Sequence, residues 1–324
     1  MQKSLQISAV IPTYNRAALV GRAIESALAQ EYAPSEIIVV DDGSVDDTRR
    51  VLESYGDRVH CMYQANSGVS AARNRGVRGA KCEWIAFLDS DDCWFPGHLK
   101  RMVNAIEGTR GEAALYFADV EVSGIEGGSS YWRACGFEIN QDWKFKQDAG
   151  EWALMRIQPM MLQASVISRR TYLDIGGLAE QIRTREDTLL FFKLALLHPA
   201  CAVAGCGTVM NSDDSIRLTH VYDLESLVYC NATIFLYREL LASLVTIGRE
   251  RRRFLKDSLG EAYFGMSRVF FRQGKYRSAI RTLAVSCGVS PAVFAKELFG
   301  SLKRRVFTTR NGSGVSGVSV DAKS

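Results

Sequence analysis

The chain has 324 residues, of which 47% are hydrophobic and 23% charged, with a formal net charge of +4. This balance is that of a soluble globular protein and excludes a disordered chain or a polytopic membrane protein. The small charge, with no base-reading signature beside it, excludes nucleic acid as a partner.

The length suits one large domain with a smaller appendage. After Met1 the first apolar run, 7–12, is too short for a signal-peptide core and reads as a strand. Five β-rich runs follow one another: LQISAVI at 5–11, EIIVVD at 36–41, RVHCMY at 58–63, EWIAFLD at 83–89 and AALYFADVEV at 113–122. Between them, 16–29, 46–55, 68–78 and 97–106 carry helical spacing. Strand alternating with helix predicts an α/β fold, a mostly parallel sheet covered on both faces, whose ligands gather at the carboxyl ends of the strands.

Residues 123–160 break this rhythm, first rich in Gly and Ser and then in tryptophan (Trp132, Trp143, Trp152). They read as a variable, partly mobile insertion, and each indole suits either core packing or stacking on a sugar ring. Regular structure resumes with a strand at 163–168, a Gly176-Gly177 turn and a helix at 186–197. The longest stretch without Asp, Glu, Lys or Arg, 194–212, holds His198, Pro199, Gly205 and Gly207, which argues against a membrane span.

From 223 the pattern is helical only, over 224–246, 254–272 and 275–287, the last two resembling a single tetratricopeptide-type hairpin. The expected organisation is an α/β domain at 1–222, an all-α extension at 223–307 and a disordered Gly/Ser-rich tail at 308–324. The basic runs 249–253 and 303–305 fit a solvated helix face or peripheral contact with an anionic membrane. The eight cysteines form no CxxC pair and read as reduced and mostly buried, which fits a cytoplasmic location. The histidines 60, 98, 198 and 220 have no metal-ligand spacing, and His98 reads as a helix-surface residue.

Three motifs carry chemistry. Val10-Ile11-Pro12-Thr13-Tyr14-Asn15-Arg16 is a strand passing into a helix, where backbone amides and Arg16 can hold a base or phosphate; a plain strand-to-helix turn explains it as well. Asp41-Asp42-Gly43-Ser44 sets two carboxylates at a strand's carboxyl end, placed to accept from a base N–H or a ribose hydroxyl. Helix capping is the other reading there, and it suits Ser44 or Asp46 better than Asp42. In Leu88-Asp89-Ser90-Asp91-Asp92 a buried strand delivers three carboxylates into one turn, and such crowding calls for a cation. Oxygen-only ligands favour a divalent cation, Mg²⁺ or Mn²⁺, bridging a diphosphate.

VIPTYNR, EIIVVDDGS, NSGVSAARNRG and IAFLDSDDCW, in this order and spacing, resemble the family 2 glycosyltransferases of GT-A fold. The resemblance implies an inverting transferase with a nucleotide-diphospho-sugar donor, a UDP-sugar favoured, and a saccharide or lipid-linked acceptor, serving cell-surface polysaccharide assembly. It places Pro12, Thr13, Tyr14, Arg16, Asp41 and Asp42 around the nucleotide, with Arg73 or Asn74 approaching it. Asp89 and Ser90 would lie near the donor, and Asp91, assisted by Asp89, would hold the metal. It also implies a catalytic base in an acidic pair, here Asp187 with Glu186 beside it, although an acidic pair opening a helix is equally a cap. Two rivals use the same residues: a haloacid-dehalogenase-like phosphotransferase, for which Cys93 and the upstream Asp-Asp-Gly-Ser are out of place, and a non-catalytic sugar-nucleotide binding protein.

Overall fold

The computed structural model describes residues 4–123, 129–211, 226–244 and 247–310, the last ten as helix backbone. It divides into two compact units, Met1–Val221 and Tyr222–Ser324. The expected boundary at 222, the Gly-rich stretch 124–128, His220 and the tail from 311 lie outside the described residues.

The first unit is built on one sheet. In chain order its strands are β1 (Ile7–Thr13), β2 (Glu36–Asp41), β3 (His60–Tyr63), β4 (Trp84–Phe87), β5 (Cys93–Trp94), β6 (Leu115–Val122), β7 (Ser129–Ser130), β8 (Trp143–Lys146), β9 (Ser165–Ser168) and β10 (Ala200–Met210). The helices are α1 (Val20–Leu28), α2 (Thr48–Glu53), α3 (Val69–Gly79), α4 (His98–Gly108), α5 (Tyr131–Cys135), α6 (Gly150–Ala153), α7 (Arg169–Asp174) and α8 (Glu186–Leu197).

The spatial order is β3-β2-β1-β4-β9-β6-β10-β5, with β7 added to β6 and β8 to β10. The α/β layout expected from the alternation is present, and its parallel half is β3-β2-β1-β4. β9 then runs antiparallel between β4 and β6, and β10 returns parallel to β6. The β1 run is buried at every position because it has strands on both sides and layers above and below, which is why it reads as an uninterrupted apolar segment.

The stretch 123–160 is more regular than its composition suggests. Among its described residues are β7, α5, β8 and α6. Trp132 and Trp152 are buried and pack edge-on around Phe117 and Phe137, with centroid separations of 4.8 Å for Trp132–Phe137 and 5.5 Å for Phe117–Trp152. These two indoles are therefore core, the packing reading of the two. β10 was missed because its Gly and Cys content hides a strand interrupted by register shifts between Val203 and Cys206 and between Cys206 and Thr208.

His98 corrects the surface reading: it is fully buried, stacked 5.4 Å from Trp94. Neither ring nitrogen has a hydrogen-bond partner, and burial, with Arg101 nearby, pushes the imidazole down to about 3, so it stays neutral. All eight cysteines are free; three are buried and five partly exposed, so burial is less complete than expected.

The second unit is helical: α9 (Leu227–Ser243), α10 (Arg249–Arg272), α11 (Tyr276–Val289) and α12 (Pro291–Arg310). α10 packs against α9, α11 and α12. The α10–α11 seam is close because Gly260 faces Ser290, where an added Cβ would come within 3.0 Å of the serine Cβ, and Ser286 Oγ donates to the Gly260 carbonyl at 2.8 Å. No helix among the described residues is long and apolar enough to cross a membrane.

One contact in the first unit sets the position of everything at the strand ends. Gly76 of α3 lies so close to the sheet that a Cβ there would sit 2.5 Å from Val10 Cγ1 and 3.3 Å from Val40 Cγ2. Gly76→Ala should therefore lower stability by roughly 1–3 kcal/mol through overpacking, against the gain of about 1 kcal/mol in helix propensity that the change would bring on an open helix. Thermal denaturation checks this, and an unchanged or raised Tm would show that α3 is not pressed onto β1.

Candidate functional site

Three parallel strands bring their carboxyl ends to one edge. Thr13 is in register with Asp41, and Val10 with Phe87, so the segments leaving β1, β2 and β4 emerge side by side. From β1, Tyr14 is 44% exposed, while Asn15 adopts a left-handed φ of 51° that turns the chain toward α1. The turn is braced from the β2 side: Asn15 N–H donates to Ser44 Oγ at 2.9 Å, and Arg16 N–H to Thr48 Oγ1 at 2.9 Å. Asp41 Oδ1 accepts from the Ser44 amide at 2.9 Å, and Gly43 takes φ 80° where a Cβ would meet the Asn66 nitrogen at 2.8 Å.

Asp42 is not a helix cap, in keeping with its sequence context, but it does hold backbone. Its Oδ1 accepts from Gln64 Nε2 at 2.7 Å and the Ser67 amide at 2.8 Å, and its Oδ2 from the Gly68 amide at 2.8 Å. The carboxylate thus fixes the segment that leads into α3, whose first turn takes no side-chain cap. Asp46 also holds backbone, accepting from the Thr48 amide at 3.0 Å and the Ala17 amide at 3.1 Å.

Because Gly76 lets α3 lie flat on the sheet, Arg73, one turn earlier, is buried at the strand ends with only 7% of its surface exposed. Its Nη2 donates to Asp89 Oδ1 at 2.5 Å, and its Nη1 donates to Glu186 Oε1 at 3.4 Å. Burial works to lower the guanidinium pKa, but the charges of Asp89 and Glu186 outweigh it and hold the pKa above its ordinary value. Removing the cation would strand two carboxylates, a change that for buried pairs costs about 3–5 kcal/mol. Glu186 is pushed up to about 7, chiefly by burial and then by the neighbouring Asp187, with Arg73 opposing.

Glu186 and Asp187 open α8 after Arg185, which sits at φ 64°. Asp187 Oδ1 accepts from the Thr188 amide at 2.6 Å. What brings this pair to the strand ends is Asn74. Its Nδ2 donates to the Leu178 carbonyl at 2.9 Å and Glu180 Oε1 at 2.8 Å, and its Oδ1 accepts from Tyr172 OH at 2.6 Å and the Leu178 amide at 3.0 Å. All four hydrogen-bonding positions of the amide are engaged within the protein, so Asn74 positions the Gly-Gly-Leu loop. Gly177 fits there at φ 67° because a Cβ would lie 2.6 Å from Asn74 Oδ1.

The acidic turn is pinned from β10. Asn211 Nδ2 donates to the Asp91 carbonyl at 2.9 Å and its amide to Asp92 Oδ1 at 3.2 Å, while Asp92 is buried and Asp91 partly exposed. Among the described residues no three His, Cys, Asp or Glu side chains form a metal cage. The donor chemistry still fits an oxygen-seeking ion, since Mg²⁺ and Mn²⁺ take one or two carboxylates and complete their shell with substrate phosphates and water. Asp91 offers such a carboxylate, whereas Asp89 already gives one oxygen to Arg73. Two buried polar atoms at this edge, Thr13 Oγ1 and Arg73 Nε, have no hydrogen-bond partner among the described residues, as expected of a cleft whose ligand supplies them.

Two residues at the site escaped the sequence analysis. Asn211 ends a strand that carried no recognisable pattern. Tyr131, at the start of α5, lies close enough to Asp187 that the aspartate's charge adds to burial and Cys135 in raising its pKa. Nothing in the primary structure links Tyr131 to a residue 56 positions later.

Comparisons with known proteins agree with this geometry. The family model Glycosyl transferase family 2 matches residues 8–161. The chain is 29% identical over 189 residues to an uncharacterized glycosyltransferase of Rickettsia typhi, covering 58% of each chain. It is also 39% identical over 122 residues to the succinoglycan biosynthesis protein ExoO of Rhizobium meliloti, covering 37% of this chain and 35% of that one. The match thus spans less than two thirds of either relative's length. Among solved structures, S. aureus TarS 1-349 in complex with UDP-GlcNAc superposes with a TM-score of 0.64 at 17% identity, covering 89% of this chain and 83% of that one, a likeness of fold. The matched residues 8–161 hold the strand ends, Arg73 and the acidic turn, so it is this part of the chain that is similar to glycosyl transferase family 2.

Proposed function

We propose that the protein is an inverting, metal-dependent glycosyltransferase. It moves a sugar from a nucleotide-diphospho-sugar, a UDP-sugar first among them, to a hydroxyl of a saccharide or lipid-linked acceptor in cell-surface polysaccharide assembly. The observation that carries this reading is the Arg73 bridge, which joins the acidic turn after β4 to the acidic pair of α8, Glu186 lying 113 residues beyond Arg73. The UDP-GlcNAc named with TarS supports the donor class, and the succinoglycan assembly named for ExoO supports the polysaccharide setting.

In this reading the nucleotide lies over the ends of β1 and β2. Tyr14 offers an exposed ring beside Pro12, Thr13 an unpartnered hydroxyl, and Asp42 a carboxylate with room for one further donor. Arg16, Asp41 and Ser90 line the same edge, and Asn74 acts by holding the α8 loop. Asp91, with Asp89, would hold Mg²⁺ or Mn²⁺, whose chemistry is to offset charge on the departing diphosphate. Asp187 takes the acceptor hydroxyl's proton as that oxygen bonds to the anomeric carbon and the bond to the diphosphate oxygen breaks, which inverts the centre. Glu186 stays beside the base, its charge balanced by Arg73.

Asp187→Asn should leave UDP affinity nearly unchanged and lower kcat by roughly 10²–10⁴-fold, the range for a lost general base. Retained turnover would remove Asp187 from that role, and absence of turnover in the parent with every donor tried would favour a non-catalytic binding protein. Asp91→Ala should abolish the difference in UDP affinity that calorimetry finds between Mn²⁺ and EDTA; a difference that persists would assign the metal elsewhere.

The acidic pair also predicts a pH dependence of stability. The folded pKa of Glu186 is raised above its ordinary 4.5 to about 7, so its contribution is fully present below 4.5 and lost as the pH rises through 7. Glu186→Gln should flatten the fall in Tm between pH 4.5 and 7 and gain relative to the parent above it; a Tm difference independent of pH would show that Glu186 is not buried against a second charge.

A further inference from the structure

The helical unit carries a surface that the proposed reaction does not use. α10 ends at Arg272 and α11 begins at Tyr276, joined through Gln273, Gly274 at φ 70° and Lys275. Around this turn three large apolar side chains face solvent: Phe271 at 41%, Tyr276 at 62% and Ile280 at 61% exposure. The Phe271 and Tyr276 rings lie 6.1 Å apart across the turn, and Ile280 follows one helical turn after Tyr276, so the three form one patch. The opposite side of α11 is the packed one, with Ala279, Thr282 and Ser286 buried.

Charge is distributed as unevenly as apolarity. Between Glu261 and Glu297 the sequence holds six cations, Arg268, Arg272, Lys275, Arg277, Arg281 and Lys296, and not one Asp or Glu. Lys275, Arg277 and Arg281 are exposed and alternate with the patch, giving Lys275-Tyr276-Arg277 and then Ile280-Arg281. On α2, by contrast, exposed cations pair with nearby carboxylates, Arg49 with Glu53 and Arg50 with Asp47. Aromatic and aliphatic groups interleaved with unbalanced cations is the composition that settles at a bilayer interface, where rings enter the acyl boundary and the long basic side chains extend to lipid phosphates.

We propose that the α10–α11 hairpin is a docking surface for an anionic phospholipid membrane. The proposal does not rest on the transfer chemistry, since membrane binding is measured without turnover. It accounts for a solvent-facing Tyr276 and Ile280 on a helix whose other face is already packed, and for the run of sequence around them that holds Lys275, Arg277 and Arg281 and no Asp or Glu.

The test is co-sedimentation of the full chain with vesicles of phosphatidylcholine alone and of phosphatidylcholine mixed with an equal amount of phosphatidylglycerol. Three exposed cations should raise partitioning onto the anionic vesicles by roughly 100-fold at low salt, and added NaCl should reduce it. Arg277→Glu with Arg281→Glu should remove most of that preference, whereas the same charge change at Lys100 and Arg170 should not. Tyr276→Ser with Ile280→Ser, assayed separately, should weaken binding to the anionic vesicles by roughly 10-fold or more through lost apolar burial. Equal partitioning onto both vesicle types, or binding unaffected by either pair of changes, overturns the proposal. So does sedimentation velocity showing a dimer of the parent that the Tyr276 and Ile280 changes dissociate, because the patch would then belong to a second copy of the chain.

Discussion

A guanidinium with 7% of its surface exposed would be costly to keep unless carboxylates met it, and the first unit is arranged so that two do. Arg73 reaches Asp89 from one side and Glu186 from the other. The first belongs to the acidic turn after β4, the second to a helix that begins far along the chain. Holding both oxygens within 3.4 Å of one planar fork requires α3 to lie against β1 and β2 and α8 to start at the same strand ends. Gly76 provides the first condition and Asn74 the second.

The same constraint organises the charges. Arg73 neutralises only part of the carboxylate set formed by Asp89, Asp91, Asp92, Glu186 and Asp187. Burial and crowding raise the Glu186 pKa, while Asp91 is only partly buried at the same edge. The hydrogen bonds of Asp42, Asn74 and Asn211 fix backbone segments on three sides of this edge.

The buried His98 and the aromatic group of Phe117, Trp132, Phe137 and Trp152 show how much of the first unit serves to support that edge. α5 and α6, short helices in a segment that looked irregular, carry these indoles into the core beneath β6. Tyr131 is thereby carried toward Asp187, so the insertion contributes to the site by packing, at one residue's remove from a buried tryptophan.

What the sequence determined by itself is the local chemistry. Apolar runs of the right length announced β1, β2, β4 and β6, and the acidic motifs at their ends followed from the rule that ligands meet parallel strands at their carboxyl edges. Four motifs in order carry the resemblance to family 2 glycosyltransferases, because the residues of each interact within a few positions. Only the tertiary structure decided which polar residues face a ligand and which hold the protein together. Asp42 and Asn74 look alike in the primary structure as polar residues beside a helix, yet one holds the segment that leads into α3 and the other is saturated chiefly by a loop more than a hundred residues away. The antiparallel direction of β9, the bulged β10 and the burial of His98 were equally hidden. Each depends on contacts between segments distant in the chain, and no local period or spacing records such a contact.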